Sequence, residues 1–205
     1  METEIKIITL GASQVGKTSI INRIVSKKFN PDQITTLVDH ESFYIMRDYK
    51  KKNIKMRLNF IDTAGQERFI STLPKQYIRN SQLVLLVFSK LEDLEELKNR
   101  WYKFYQDNAD ADNSKFIVVG NKSDTFGDQK DKIKNEGTKF AEEIDAFFIT
   151  CSAKSEDNID NLENHIITEA KRIIDEGKIN KNQLSKINND ELKEKQNNNK
   201  KAGCC

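Results

Sequence analysis

The sequence predicts an α/β fold: a mostly parallel sheet of six strands, with one antiparallel edge strand and helices on both faces. Three observations lead there. Apolar runs that read as strands alternate with segments whose apolar residues recur at helical spacing. Two of the runs, Leu83 to Phe88 and Phe116 to Gly120, are apolar throughout, as expected of strands covered on both faces. A third run, Ile5 to Leu10, feeds Gly11-Ala-Ser-Gln-Val-Gly-Lys-Thr18, which in turn opens a helical segment. Strand, G-x-x-x-x-G-K-[ST] loop and helix in that order mark a phosphate-binding loop, so the expected fold is that of the P-loop NTPases.

The chemistry of that loop follows from its residue types. Glycines let the backbone turn tightly, so successive N–H groups point inward at anionic oxygens, and the helix N-terminus adds partial positive charge. Ser13, Gln14, Val15, Gly16, Lys17, Thr18 and Ser19 are expected to cradle phosphate. Lys17 would reach the β- and γ-phosphates, and the Thr18 hydroxyl would bind Mg²⁺. The bland alternative is a glycine turn between a strand and a helix, and the flanking pattern argues against it. The loop names phosphate as the ligand and leaves base and reaction open.

In the helix that follows, Ile20, Ile21 and Ile24 keep helical spacing; Phe29 to His40 is then polar and irregular, with Pro31. Phe43 to Arg47 and Lys55 to Ile61 read as strands. The second alternates Met56, Leu58 and Phe60 with Lys55, Arg57 and Asn59, the signature of a strand half-exposed to water. Asp48 to Asn53 joins the two as a basic turn, so a hairpin is expected to supply the antiparallel strand. Lys50, Lys51 and Lys52 in that turn read as a solvated loop. Between the two wholly apolar strands, Leu91, Leu94, Leu97, Trp101 and Phe104 mark a helix. Ile133, Phe140, Ala141 and Ile144 form a weaker helix, Phe147 to Ile149 a short last strand. Ile159, Leu162, Ile166, Ala170 and Ile173 form a final amphipathic helix. From Asp175 the pattern fails. Asn, Lys, Gln, Glu and Asp dominate there, and such a stretch cannot bury enough surface to offset its ordering entropy. Residues 1–174 are expected to be the globular domain and 175–205 a flexible tail.

Composition narrows the class. A chain of 205 residues suits one domain plus such a tail. Lys and Arg (34) nearly balance Asp and Glu (32), and a formal charge of +2 argues against nucleic-acid binding by field alone. The start, Met-Glu-Thr-Glu, lacks the features of a secretory signal, and no apolar run is long enough to span a membrane. Asn121-Lys-Ser matches a glycosylation pattern, but nothing else points to secretion. Of the three cysteines, Cys204 and Cys205 are adjacent and terminal, so no disulfide framework is implied, which fits a reducing cytosol. Cys151 reads as a small buried hydrophobe. His40 and His165 have no Cys/His cluster around them and read as surface or packing residues.

In open α/β sheets the ligand sits at the carboxyl ends of the strands, and three further motifs stand there. Asp62-Thr-Ala-Gly-Gln66 ends the third strand, Asn121-Lys-Ser-Asp124 follows the fifth and Ser152-Ala-Lys154 the sixth. Each is weak alone. In this order behind a phosphate loop they are specific. With them the sequence resembles the Ras-like small GTPases, and within these the Rab family, from Glu4 to Ile174. The resemblance is strongest through Asp62-Thr-Ala-Gly-Gln-Glu-Arg-Phe69, Val119-Gly-Asn-Lys-Ser-Asp124, the Trp101 region and Cys151-Ser-Ala-Lys154.

The resemblance implies a site for GTP and GDP with Mg²⁺. Asp124 would accept the N–H groups on guanine N1 and N2, a donor pair that adenine lacks. Lys122 would lie over the ribose side, and Asn121 would tie its loop to the phosphate loop. In the Ser152 loop, Ala153 would offer a backbone N–H to guanine O6 and Lys154 would pack by its stem. Phe29 would shield the base edge-on. Asp62 would hold Mg²⁺ through a water, the Gly65 N–H would meet the γ-phosphate, and Gln66 would orient the attacking water, with Lys17 opposing the developing charge. Gln66 favours a hydrolase over a permanently bound nucleotide. No arginine stands at a motif position suited to complete the transition state, so the resemblance implies a slow timer. Counting without gaps from Lys17, with Phe29 as a landmark, makes Thr36 the switch threonine that binds Mg²⁺ and meets the γ-phosphate. Aligning on Val38-Asp39 would choose Thr35 instead.

The terminal Cys204-Cys205 pair resembles the Rab double-geranylgeranylation site. One lipid chain gives marginal membrane binding and two give stable, extractable attachment. The tail would act as a coil spanning roughly 30 Å, and at most about 100 Å when drawn out. The implied setting is the cytoplasmic face of intracellular membranes, Golgi or endosomal, with a soluble cytosolic pool. The implied partners are an exchange factor, a GTPase-activating protein, effectors, and a prenylation escort and extraction chaperone. The GTPase domain is expected to be monomeric and to bind no nucleic acid. Gln14, Leu37, Val38 and Ile61 depart from the family pattern. They motivate an alternative, a GTP-bound interaction module with little hydrolysis. A P-loop ATPase or nucleotide kinase is a further alternative, against which Asp124 argues.

Overall fold

The phosphate loop is flanked as its pattern predicts, by β1 (Glu2–Leu10) before it and α1 (Lys17–Ser26) after it. The computed structural model describes residues 2–32, 40–63, 78–79, 81–109 and 114–177. β2 (His40–Tyr49) and β3 (Ile54–Thr63) form the expected hairpin, turned by a 3₁₀ segment at Lys50–Lys52 and by Asn53 in the left-handed region. Both strands outrun their apolar stretches. One side of the hairpin faces water, so polar residues such as Ser42 and Asp48 continue the ladder beyond the reach of a hydrophobic pattern.

β4 (Leu83–Phe88), β5 (Lys115–Gly120) and β6 (Phe147–Thr150) complete the sheet, in the order β2-β3-β1-β4-β5-β6. β2 runs antiparallel to β3, and the other pairings are parallel. β1 therefore lies between β3 and β4. The chain fills one side of it and then crosses to the other, so the loop after β1 sits at the point where the strand order reverses.

The segment expected as one helix between β4 and β5 is divided. α2 (Leu91–Glu96) passes into a π-helical turn, Leu97–Tyr102, and then into α3 (Lys103–Asn108). The wider turn delays the phase of the apolar stripe. Leu94, Leu97, Trp101 and Tyr105 are buried, whereas Phe104, on the stripe of a plain α-helix, is only half-buried. α4 (Lys130–Glu143) and α5 (Ile159–Asp175) follow, and the five residues whose spacing predicts α5 are all buried.

Alternation along the strands divides the core between the two faces of the sheet. Ile5, Ile7, Leu83, Leu85 and Val87 pack with Ile20, Ile21 and Ile24 of α1 and with Leu162, Ile166 and Ala170 of α5. Ile8, Leu10, Val84, Leu86 and Phe88 pack with Leu97 and Trp101 and with Ile133 and Phe140 of α4. Each Val, Leu, Ile or Phe side chain among them contributes about 1.5–3 kcal/mol on burial. Cys151 is fully buried in the first cluster, and burial pushes its thiol up to about 12. No helix among the described residues is long and apolar enough to cross a membrane. Of the tail expected over residues 175–205, Asp175 closes α5, and the part from 178 onward, with Cys204 and Cys205, lies outside the described residues.

Candidate functional site

β1 ends at Gly11, whose φ of 148° and surroundings exclude a side chain: a Cβ there would stand 2.1 Å from the Val87 carbonyl oxygen. Glycine thus lets the chain turn tightly past β4. At the far end of the loop, Gly16 (φ 94°) would place a Cβ 2.3 Å from Asn121 Nδ2. That space is taken because Asn121 Nδ2 donates to the Val15 carbonyl at 2.8 Å. The tie between the two loops is the one ascribed to Asn121 from the sequence. Lys17 folds back over the loop, with Nζ donating to the Gly11 and Ala12 carbonyls at 2.9 and 3.0 Å. Its burial pushes the ammonium down to about 8, against the charges of Asp62 and Glu96. The indole of Trp101 lies beneath, its centroid 5.9 Å from Nζ.

Two oxygen donors meet beside this lysine. The Thr18 hydroxyl donates to Asp62 Oδ2 at 2.5 Å, and the other carboxylate oxygen accepts from Thr9 Oγ1 at 3.3 Å. Asp62 is fully buried at the end of β3. A hydroxyl and one carboxylate are hard donors that suit Mg²⁺, which takes its remaining ligands from phosphate and water. The other residues expected here, Thr36 (with Thr35 as its alternative), Gly65 and Gln66, lie outside the described residues.

The other end of the site, where the sequence leads one to expect the base, is built from the loops after β5 and β6. Asp124 Oδ1 accepts the Ser152 hydroxyl proton at 2.6 Å, and Ser152 Oγ accepts the Ser155 N–H at 3.1 Å. Lys122 adopts φ 63°, and Ser123 N–H donates to the Cys151 carbonyl at 2.9 Å, joining the two loops. The Ala153 N–H, which the resemblance assigns to guanine O6, donates to Asn121 Oδ1 at 3.2 Å. A nucleobase oxygen arriving there would share that donor or take it over.

These parts enclose one cleft of about 360 Å³ at the carboxyl ends of the parallel strands. On the side of the phosphate-loop motif it is lined by Ser13, Gln14, Gly16, Lys17, Thr18 and Ser19, and on the other side by Phe29, Asn121, Lys122, Asp124, Ser152, Ala153 and Lys154. Val15 and Asp62 do not line it. Val15 is buried and contributes its carbonyl to Asn121, and Asp62 lies behind Thr18. Asn30, Pro31, Thr63 and Thr125 line the cleft without having been singled out from the sequence. Each follows a recognised residue (Phe29, Asp62 or Asp124), and that adjacency was the available signal.

The description Ras family fits a family model that matches residues 6–172 of the chain. The chain is 32% identical over 212 residues to Ras-related protein SEC4 of Saccharomyces cerevisiae, covering 98% of this chain and 90% of that protein. It is 35% identical over 164 residues to Ras-related protein Rab-18-B of Danio rerio, covering 77% and 74% respectively. With Ras-related protein Rab-27B of Rattus norvegicus the identity is 33% over 164 residues, covering 76% and 74%.

Proposed function

The chain belongs to the Ras family, as a Rab-like small GTPase that hydrolyses GTP, and from that premise we propose a membrane-tethered GTP/GDP switch that turns over slowly and recruits effectors in vesicle trafficking. One observation carries the reading: a phosphate loop with Thr18, which is backed by the buried Asp62, and an Asp124 carboxylate line a single cleft.

The residues divide the work by position. Backbone N–H groups of the loop and the charge of Lys17 hold the β- and γ-phosphates. Thr18 and Asp62, the latter through water, would hold Mg²⁺ together with Thr36, and the ion's part is to neutralise charge on the phosphates. Ser152 holds one oxygen of Asp124, so the carboxylate meets the N1 and N2 hydrogens of guanine in a fixed orientation. Gln66 orients the attacking water, and the γ-phosphate contact of Thr36 orders its loop until hydrolysis releases it. The tail and the lipids on Cys204 and Cys205 would keep the switch on a cytoplasmic membrane face, while an exchange factor, an activating protein and an extraction chaperone cycle it. The alternative of a bound module with little hydrolysis draws on Gln14, which is exposed at φ 64° in the lining of the cleft.

Two measurements test this. GTP should displace bound GDP while ATP at the same concentration does not; equal displacement by ATP would end the guanine reading. In single-turnover assays, wild-type protein should cleave GTP slowly and Gln66→Leu should lower that rate about tenfold or more. Equal rates for the two would favour the module.

A further inference from the structure

One side chain of α1 lies outside the cleft yet grips three of its walls. Arg23 has only 12% of its side chain exposed. Its Nε–H donates to the Ala153 carbonyl at 2.8 Å, and Nη2 donates to the Lys154 carbonyl at 3.1 Å. Nη1 pairs with Glu156 Oε1 at 2.6 Å and donates to the Lys27 carbonyl at 3.2 Å, where α1 ends. The guanidinium carbon lies 5.6 Å from the centroid of the Phe29 ring, within cation–π range. A planar fork of fixed donors makes these contacts at once, which the single ammonium of a lysine cannot do.

The consequence falls on Ala153. Its N–H is given to Asn121 Oδ1 and its carbonyl is held by Arg23, so the residue expected to read guanine O6 keeps the Arg23 anchor when the base claims that N–H. The surrounding loop bends through left-handed residues, Glu156 at φ 67° and Asn158 at φ 56°, and needs such anchors to keep one shape. We propose that Arg23 is a positioning residue for base recognition. It holds the 153–156 loop and Phe29 in register with each other, and thereby sets how long a guanine nucleotide stays bound. This rests on the guanine reading of the cleft.

The test compares release of GDP with release of 6-thioguanosine diphosphate, in which a weakly accepting sulfur replaces O6 while the N1 and N2 hydrogens remain, from the full-length protein. In Arg23→Met the release of GDP should quicken about tenfold. The penalty that wild-type protein shows for losing O6 should shrink several-fold in the same variant. Arg23→Lys, which keeps the charge and loses the fork, should fall between the two and serves alone if Arg23→Met does not fold. GDP release within twofold of wild type in these variants would overturn the proposal. So would an equal acceleration for both nucleotides that leaves the O6 penalty unchanged, because general loosening of the fold gives that result. Wild-type protein that released GDP and ADP equally fast would bring down the guanine reading, and this proposal with it.

Discussion

Glu163, on α5, is a nearly buried carboxylate set between two cations. It accepts a hydrogen bond from Lys27 Nζ at 2.6 Å and another from Arg47 Nη2, joining α5 to the end of α1 and to β2. Burial pushes its carboxyl up, but the hydrogen bonds and charges of Lys27 and Arg47 outweigh that and hold it below the ordinary carboxylate range. The sign of the pH effect follows. A carboxylate with a depressed folded-state value adds stability that is present above its unfolded value, and that is lost as pH falls through the folded one. Wild-type protein should therefore weaken as pH drops below about 4.5, the ordinary value for this group. Glu163→Gln should cost about 1–3 kcal/mol at neutral pH, since it removes charge-assisted bonds. It should also lose less than wild type on going to pH 3.5. Urea unfolding at both pH values measures this, and an equal loss in the two proteins would refute it. None of these partners could be read from the sequence, where Glu163 stands among the polar positions of an amphipathic helix.

At the scale of elements, periodicity located the helices and missed how they are seated. The stripe from Leu91 to Phe104 was legible, but the π turn within it was not, because nothing in the spacing of a plain helix marks it. There Trp101 is buried, with Nε1–H donating to Glu96 Oε1 at 3.3 Å, and its ring lies under Lys17. The seating of α4 is decided by Gly137. A Cβ at that position would fall 2.4 Å from the Phe148 ring, which itself stacks on Phe88 with centroids 6.3 Å apart. By helix propensity alone Gly137→Ala should stabilise by about 1 kcal/mol. Here the half-buried ring stacks on Phe88 and would have to leave that stack to make room, so overpacking should win and the variant should be less stable by about 1–3 kcal/mol. Thermal or urea unfolding decides the sign, and a stabilised variant would mean that Phe148 can move aside.

For the whole molecule, the prediction concerns the tail. Changing Cys204 and Cys205 to Ser should leave nucleotide binding intact and move the protein from membranes to the soluble fraction, because two lipid chains give stable attachment and none gives none. A double variant that stayed on membranes would defeat the lipid reading and turn suspicion to the exposed lysines of the Lys50–Lys52 turn. The sequence by itself determined the phosphate loop, the alternation of strands and helices, and the motifs at three strand ends. Each of these depends on residue type and on spacing within a few positions, and backbone geometry turns such spacing into structure directly. Only the tertiary structure decided that Asp62 meets Thr18, 44 residues earlier, and that Asn121 occupies the Ala153 N–H. It alone brought Arg23 to a loop 130 residues further on. Such contacts depend on the order of strands in the sheet, with β1 between β3 and β4 and β6 beyond β5. That order is settled by how whole faces bury one another, which no local stretch of sequence encodes.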